Sequence, residues 1–143
     1  MSKGNTFEND LLKLIFQAVA IANLADNSGT DPLESLYVSL HSADPGEAGA
    51  QNTNELSYTG YGRVAVARSA VGWDISGNTI SNAALIAFGE CTEGSGTANY
   101  VGVGTAESGA GKLLYSGQLS APLAISAGIT PQFAAGALDI QEE

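Results

Sequence analysis

From residue 36 onward the sequence changes period, and that change bounds the fold. Leu36, Val38 and Leu40 alternate with Tyr37, Ser39 and His41, the two-residue repeat of a strand with one buried face. Short apolar runs follow at residues 63–69, 73–80, 83–88, 100–104, 112–119 and 137–141, with an irregular one at 123–133. Glycine-rich breaks such as Glu93-Gly94-Ser95-Gly96 and Ser108-Gly109-Ala110-Gly111 separate them, and Ser76-Gly77-Asn78 turns the 73–80 run back on itself. Seven or eight short strands between turn signals predict a mainly β fold, a jelly-roll-like β-sandwich over residues 35–141. Residues 42–54, rich in Ala, Gly and Asn around Pro45, read as a long surface loop.

Residues 5–25 follow a different rule. Asn5 and Glu8 have the spacing of a capping box. Apolar residues then recur at Phe7, Leu11, Leu14, Ala18, Ile21 and Ala25, which predicts one N-terminal α-helix. Leu12, Ile15, Phe16 and Val19 widen the stripe beyond what one face of a sandwich covers. The helix therefore either lies across the end of the β core or packs partly on a neighbouring subunit. Asp26-Asn27-Ser28-Gly29-Thr30-Asp31-Pro32 ends it. At 143 residues, with 44% hydrophobic and 14% charged side chains, the chain is expected to fold as a single domain, 1–143, without help from a metal or disulfide.

Charge narrows the partners. Fifteen acids against five cations give a net charge of −10, and Lys3, Lys13, Arg63, Arg68 and Lys112 are scattered. No basic stripe is present to replace the counterions of phosphates, so neither nucleic acid nor an anionic membrane surface is an expected partner. Cys91 is the only cysteine, which rules out an intrachain disulfide and suits a reduced, partly buried thiol. The apolar run at residues 14–22 lacks the cationic start of a signal peptide and the length of a membrane span, so synthesis in the cytoplasm is expected.

The motifs of catalysis fail on their spacing. His41 is the single histidine; Asp44 and a serine would complete a triad, but no nucleophile elbow fixes which serine. His41, at a strand end, is expected to be a surface or interface residue. The Gly-rich turn ending in Gly111-Lys112 resembles a phosphate loop, yet Ala106 stands at its first glycine and Leu113 where a hydroxyl should hold magnesium. Gly102-x-Gly104 meets Glu107 at the third glycine of a dinucleotide fingerprint. One His and one Cys cannot build a structural zinc site. Residues 26–31 offer oxygen ligands to calcium, but Tyr37 sits where the EF-hand needs its bidentate Glu. No cofactor, no metal and no enzymatic activity are expected. Glu90 and Glu93 read as a solvated rim.

What remains is surface for assembly. Leu11, Leu14, Phe16 and Ile21 on the helix, Asp44 and Pro45 in the long loop, and the aromatics Tyr58, Tyr61 and Trp73 are the candidate partner-contact residues, because apolar excess and aromatic anchors mark interfaces.

Four blocks in order carry a resemblance. Residues 36–46 (Leu-Tyr-Val-Ser-Leu-His-Ser-Ala-Asp-Pro-Gly), 58–66 (Tyr-Thr-Gly-Tyr-Gly-Arg-Val-Ala-Val), 81–84 (Ser-Asn-Ala-Ala) and 111–117 (Gly-Lys-Leu-Leu-Tyr-Ser-Gly) resemble a family of small tailed-bacteriophage virion proteins labelled tail-fibre-like or head decoration proteins. The resemblance implies a non-enzymatic structural protein. Its acidity suits the outer surface of the capsid, away from packaged DNA, and the chain lacks the repeats of a long stalk. The expectation is accordingly a capsid decoration (cement) protein bound to the major capsid protein and to sister subunits, as a trimer by analogy. The alternative is a tail-associated protein that binds a host receptor.

Overall fold

Nine strands follow one helix in the computed structural model, which describes residues 5–21 and 32–142. The helix is α1 (Asn5–Gln17), and the strands are β1 (Ser35–His41), β2 (Val64–Ala67), β3 (Trp73–Ser76), β4 (Thr79–Asn82), β5 (Ile86–Ala87), β6 (Ser95–Gly104), β7 (Leu113–Ser126), β8 (Gln132–Phe133) and β9 (Asp139–Gln141). The mainly β architecture with one N-terminal helix is as the patterning predicts, and the registered strand pairs are antiparallel, as a β-sandwich of this kind requires. Two compact units emerge. One comprises the described residues of Met1–Ser35 with Val66–Ile86 and Phe133–Glu143; the other is Leu36–Ala65 with Ala87–Gln132.

In the first unit, Glu8, Leu12 and Phe16 recur every fourth residue of α1 and are buried, one stripe down a helix of 3.6 residues per turn. The Phe16 ring meets the edge of Trp73 with centroids 4.7 Å apart, and Gln17 Nε2 donates to the Trp73 carbonyl at 3.1 Å. α1 stops at Gln17, short of the expected residue 25. Ala18 turns left-handed, with φ at 57°, and the Val19 amide reaches back to the Lys13 carbonyl at 3.1 Å. The Arg68 guanidinium then takes the carbonyls of Leu14 and Ile15, which have no partner within a helix's last turn. Residues 22–25 of the expected helix, the 26–31 turn and the Asn5 side chain lie outside the described residues.

The first unit's sheet has the order β3-β4-β9. Ser76 pairs with Thr79, leaving Gly77 and Asn78 as a two-residue hairpin loop with Gly77 at φ +62°, the glycine-first turn that matches strand twist. Asn82, buried at the end of β4, donates to the carbonyls of Ala84 and Ala134 and accepts the Leu138 amide at 2.9 Å. One side chain thus fixes the approach to β9.

The second unit is built on the sheet of order β2-β1-β6-β7. Val38 pairs with Val103 and Leu40 with Val101; residues directly opposite share a face, and these four are buried. Contrary to the one-sided strand expected, the other face of β1 is buried too: Ser39 and His41 are both 0% exposed. β6 starts at Ser95, inside the predicted Glu93–Gly96 break, because its first residues pair with the far half of β7. Between the pairs Ala98–Leu123 and Tyr100–Gln118 a single β6 residue, Asn99, faces residues 119–122 of β7. That wide bulge contains Pro122 and splits β7 in two.

Candidate functional site

The polar chemistry of the second unit gathers where residues 42–57 fold back over the face of β1 and β6 that carries Ser39, His41 and Gly102. The fold-back is stitched by main chain: Ser42 donates to Asn54 at 2.8 Å and Leu56 to Leu40 at 3.0 Å. His41 sits beneath it, with Nδ1 2.8 Å from the Thr53 carbonyl and Nε2 2.8 Å from Ser39 Oγ. A carbonyl only accepts, so Nδ1 carries the proton and Nε2 accepts the Ser39 hydroxyl. Burial pushes the His41 pKa below its ordinary value, with Arg63 adding to that and the Thr53 bond and Glu55 opposing it, which keeps the ring neutral and in this tautomer.

A serine and a histidine so placed have the spacing of an activated nucleophile. Two features set this pair apart from one. The far ring nitrogen faces a peptide carbonyl where a triad has a carboxylate, and both side chains are sealed from solvent. Asp44, the acid considered from sequence, is exposed, and its carboxylate accepts the Gly46 amide at 2.8 Å. His41 is therefore neither the surface nor the interface residue its strand-end position suggested.

Around this pair runs a second tier. Arg63 forms a fork with Glu55, Nε to Oε1 and Nη2 to Oε2 both at 2.7 Å, and donates onward to the carbonyls of Ala106 and Gly109. The Tyr61 hydroxyl donates to Glu55 Oε1 at 2.8 Å and accepts the Leu40 amide at 3.1 Å. Burial, more than the carboxylate beside it, raises the Tyr61 pKa far above the phenolic range. The Glu55 bond in turn raises that of Arg63. Gln51 completes the tier: Nε2 donates to the Tyr37 carbonyl at 3.0 Å and Oε1 accepts the Ala106 amide at 3.1 Å. The two loops, 42–57 and 105–112, are sewn to the sheet by side chains that leave few polar atoms over.

The glycines that mimicked nucleotide motifs are part of this packing. A Cβ at Gly102 would fall 2.7 Å from His41 Nε2 and 2.9 Å from Ser39 Oγ, closer than carbon tolerates. The sheet carries glycine there because the neighbouring strand's polar side chains occupy the space.

The candidate contact residues divide. Phe16 and Trp73 are fully buried in the first unit, and Tyr58 in the second is 6% exposed with its hydroxyl on the Gly89 carbonyl at 2.9 Å; these three are core anchors. Pro45 is buried and Tyr61 half-buried, while Leu11, Leu14 and Ile21 keep partial exposure and Asp44 is open. The most exposed large apolar side chains are ones the patterning did not single out, Val71 at 78% and Leu85 at 57%. Cys91 is buried, its thiol near the Glu93 and Gly94 carbonyls, and Glu90 and Glu93 are exposed. Among the described residues no three His, Cys, Asp or Glu side chains converge.

Beside the sewn loops lies a cleft of about 570 Å³ lined by residues 113–118 of β7, by the 44–49 loop and by Tyr100. Its walls are sixty-odd residues apart in the chain, and the absence of charge does not mark residues 113–118, because the charge-free run continues to Leu138.

The polar groups of the second unit fasten its loops to the sheet, and a family match gives the class of the chain, a small tailed-phage virion protein. The family described as Podophage GP4 fiber I protein gp80 matches residues 2–141, and the chain belongs to that family. Comparison with curated proteins finds no match.

Proposed function

We propose that the chain is a fibre-class structural subunit of the phage particle, acting by attachment and without catalysis on the outside of the virion. The observation that carries this reading is the family match, which runs over 2–141 and so spans both compact units. The buried commitment of His41 and Ser39 supports it, since this hydroxyl and imidazole are held as a loop fastening.

A second reading, capsid decoration, is favoured by the net charge of −10. An acidic module sits comfortably on the outer shell and poorly against packaged DNA. In that reading the partners are the major capsid protein and sister subunits, with a trimer the expected state. In the fibre reading the far partner is a host receptor. Copy number separates them, because symmetry fixes how many sites each location offers. Quantitative mass spectrometry of purified particles should give about three to eighteen copies for a fibre or tail part, against hundreds for a decoration protein. Absence from purified particles would sink both.

A further inference from the structure

The cleft continues the sheet face on which His41 lies. His41 pairs with Tyr100, Tyr100 with Gln118, and Gly102 with Ser116. A Cβ at Gly102 would fall 2.7 Å from His41 Nε2 and 2.9 Å from Leu113 Cδ1, so both of those side chains lie on the Gly102 side of the sheet. Residues directly opposite share a face, which puts Tyr100, Ser116 and Gln118 there as well. These three and Leu113 line the cleft of about 570 Å³ together with Asp44 and Glu47 of the loop. The tier around Arg63 spends its polar groups on one another and on main chain; the cleft does not. Among the described residues, no protein group takes the Tyr100 hydroxyl, the Ser116 hydroxyl, the Gln118 amide or the Glu47 carboxylate.

These groups decide what fits. No Lys or Arg lines the cleft, so an anionic ligand finds no charge-assisted donor there. A wholly apolar ligand would strip water from the hydroxyls, amide and carboxylates and return nothing. A sugar ring answers both halves of the lining. Its C–H face suits an aromatic ring, whose π face is negative, and each hydroxyl on its rim both donates and accepts. Carboxylates only accept, whereas a serine hydroxyl and a glutamine amide do both. Asp44 is already held by the Gly46 amide at 2.8 Å, which lowers the cost of ordering it on binding. The volume falls within the ~300–1,000 Å³ of small-ligand sites. We infer that this cleft binds a neutral saccharide, with the Tyr100 ring against a sugar face and Asp44, Glu47, Ser116 and Gln118 taking its hydroxyls. The inference gives the fibre reading its receptor chemistry and rests on that reading for the source of the sugar, a cell-surface glycan. Copy number tests the reading and the titration below tests the cleft, so either can fail alone.

The probes are neutral trisaccharides built from glucose, galactose, mannose or N-acetylglucosamine, titrated at millimolar concentration into the isotope-labelled full chain and followed by its amide NMR spectrum. At least one should move the amides of Tyr100, residues 116–118 and residues 44–49 in a saturable way. Gln118→Ala, at an exposed position, should weaken that binding about fivefold, the loss of one hydrogen bond. Tyr100→Leu should abolish it, and Tyr100→Phe, which keeps the ring, should retain it; spectra otherwise matching the parent's show that each variant folds. Absence of any shift across the panel, or shifts confined to residues away from the cleft, would overturn the inference. So would unchanged affinity in both Gln118→Ala and Tyr100→Leu. Trilysine moving the same amides at lower concentration than any sugar would overturn it too, by identifying the cleft as a site for cationic peptide.

Discussion

Gln51 occupies the volume that any side chain at position 104 would need: a Cβ built on Gly104 falls 2.3 Å from Gln51 Cδ and 2.4 Å from its Oε1. The same glutamine holds Tyr37 and Ala106, so it cannot swing aside without leaving a buried amide unpaired. Gly104→Ala should destabilise the chain by about 1–3 kcal/mol, the usual range for overpacking. Gly117→Ala, which meets nothing, should change stability little. Urea titration of the two variants makes the comparison.

The His41 environment sets a pH dependence. The folded pKa is depressed below the ordinary 6.5, so the unfolded chain binds a proton first as the medium acidifies. The His41 contribution is therefore complete above about pH 6.5 and declines as pH falls through the window between the unfolded and folded values, at no more than about 1.4 kcal/mol per pH unit. Denaturation midpoints followed from about pH 7.5 to 5.5 should slope downward in the parent chain. They should run flatter in His41→Gln, whatever that variant's absolute stability.

Glu55 and Arg63 are nearly buried, their side chains 13% and 2% exposed. Removing one member leaves the other's charge and hydrogen-bonding groups stranded, and Arg63→Met or Glu55→Leu should cost about 3–5 kcal/mol. Arg63→Lys should also be damaging, because an ammonium cannot reproduce the fork and still reach the 106 and 109 carbonyls. Thermal melts of the three variants test this.

Phe16 and Trp73 should behave as a pair. Trp73→Ala should cost about 3–5 kcal/mol, and a double-mutant cycle with Phe16→Leu should return a coupling of about 0.5–1.5 kcal/mol from the edge-on ring contact. Loss of particle incorporation by a Phe16→Ser variant would thus report on folding. Val71→Ser and Leu85→Ser, at exposed positions, are the variants that probe contact surface; their melts should stay close to the parent's.

The alternation from Leu36 to His41 was enough to place β1, and Gly77 was enough to place the β3–β4 turn, because both are set by neighbours in sequence. The cover over Ser39 and His41 was not legible: it is made by Thr53, and the loops beside it are tied by pairs such as Gln51 with Ala106 and Arg63 with Gly109. Period alone cannot show such distant contacts. Gly102 and Gly104 do carry a signal, two glycines on one face of one strand, which means that something bulky lies on that face, although their spacing also mimics the start of a nucleotide motif. The sequence predicts a longer helix because nothing in residues 18–25 forbids one, while the left-handed turn at Ala18 and the Arg68 contacts to its last carbonyls, fifty residues on, mark its end.

The uneven count across β6 and β7, one residue against residues 119–122, has a consequence for crowding. Wherever copies of a β protein are crowded together, a long straight edge invites end-to-end ribbons. By breaking the edge at Pro122, the chain limits any strand laid along it to a stretch of about six residues. Any such attachment therefore has a fixed length and cannot propagate.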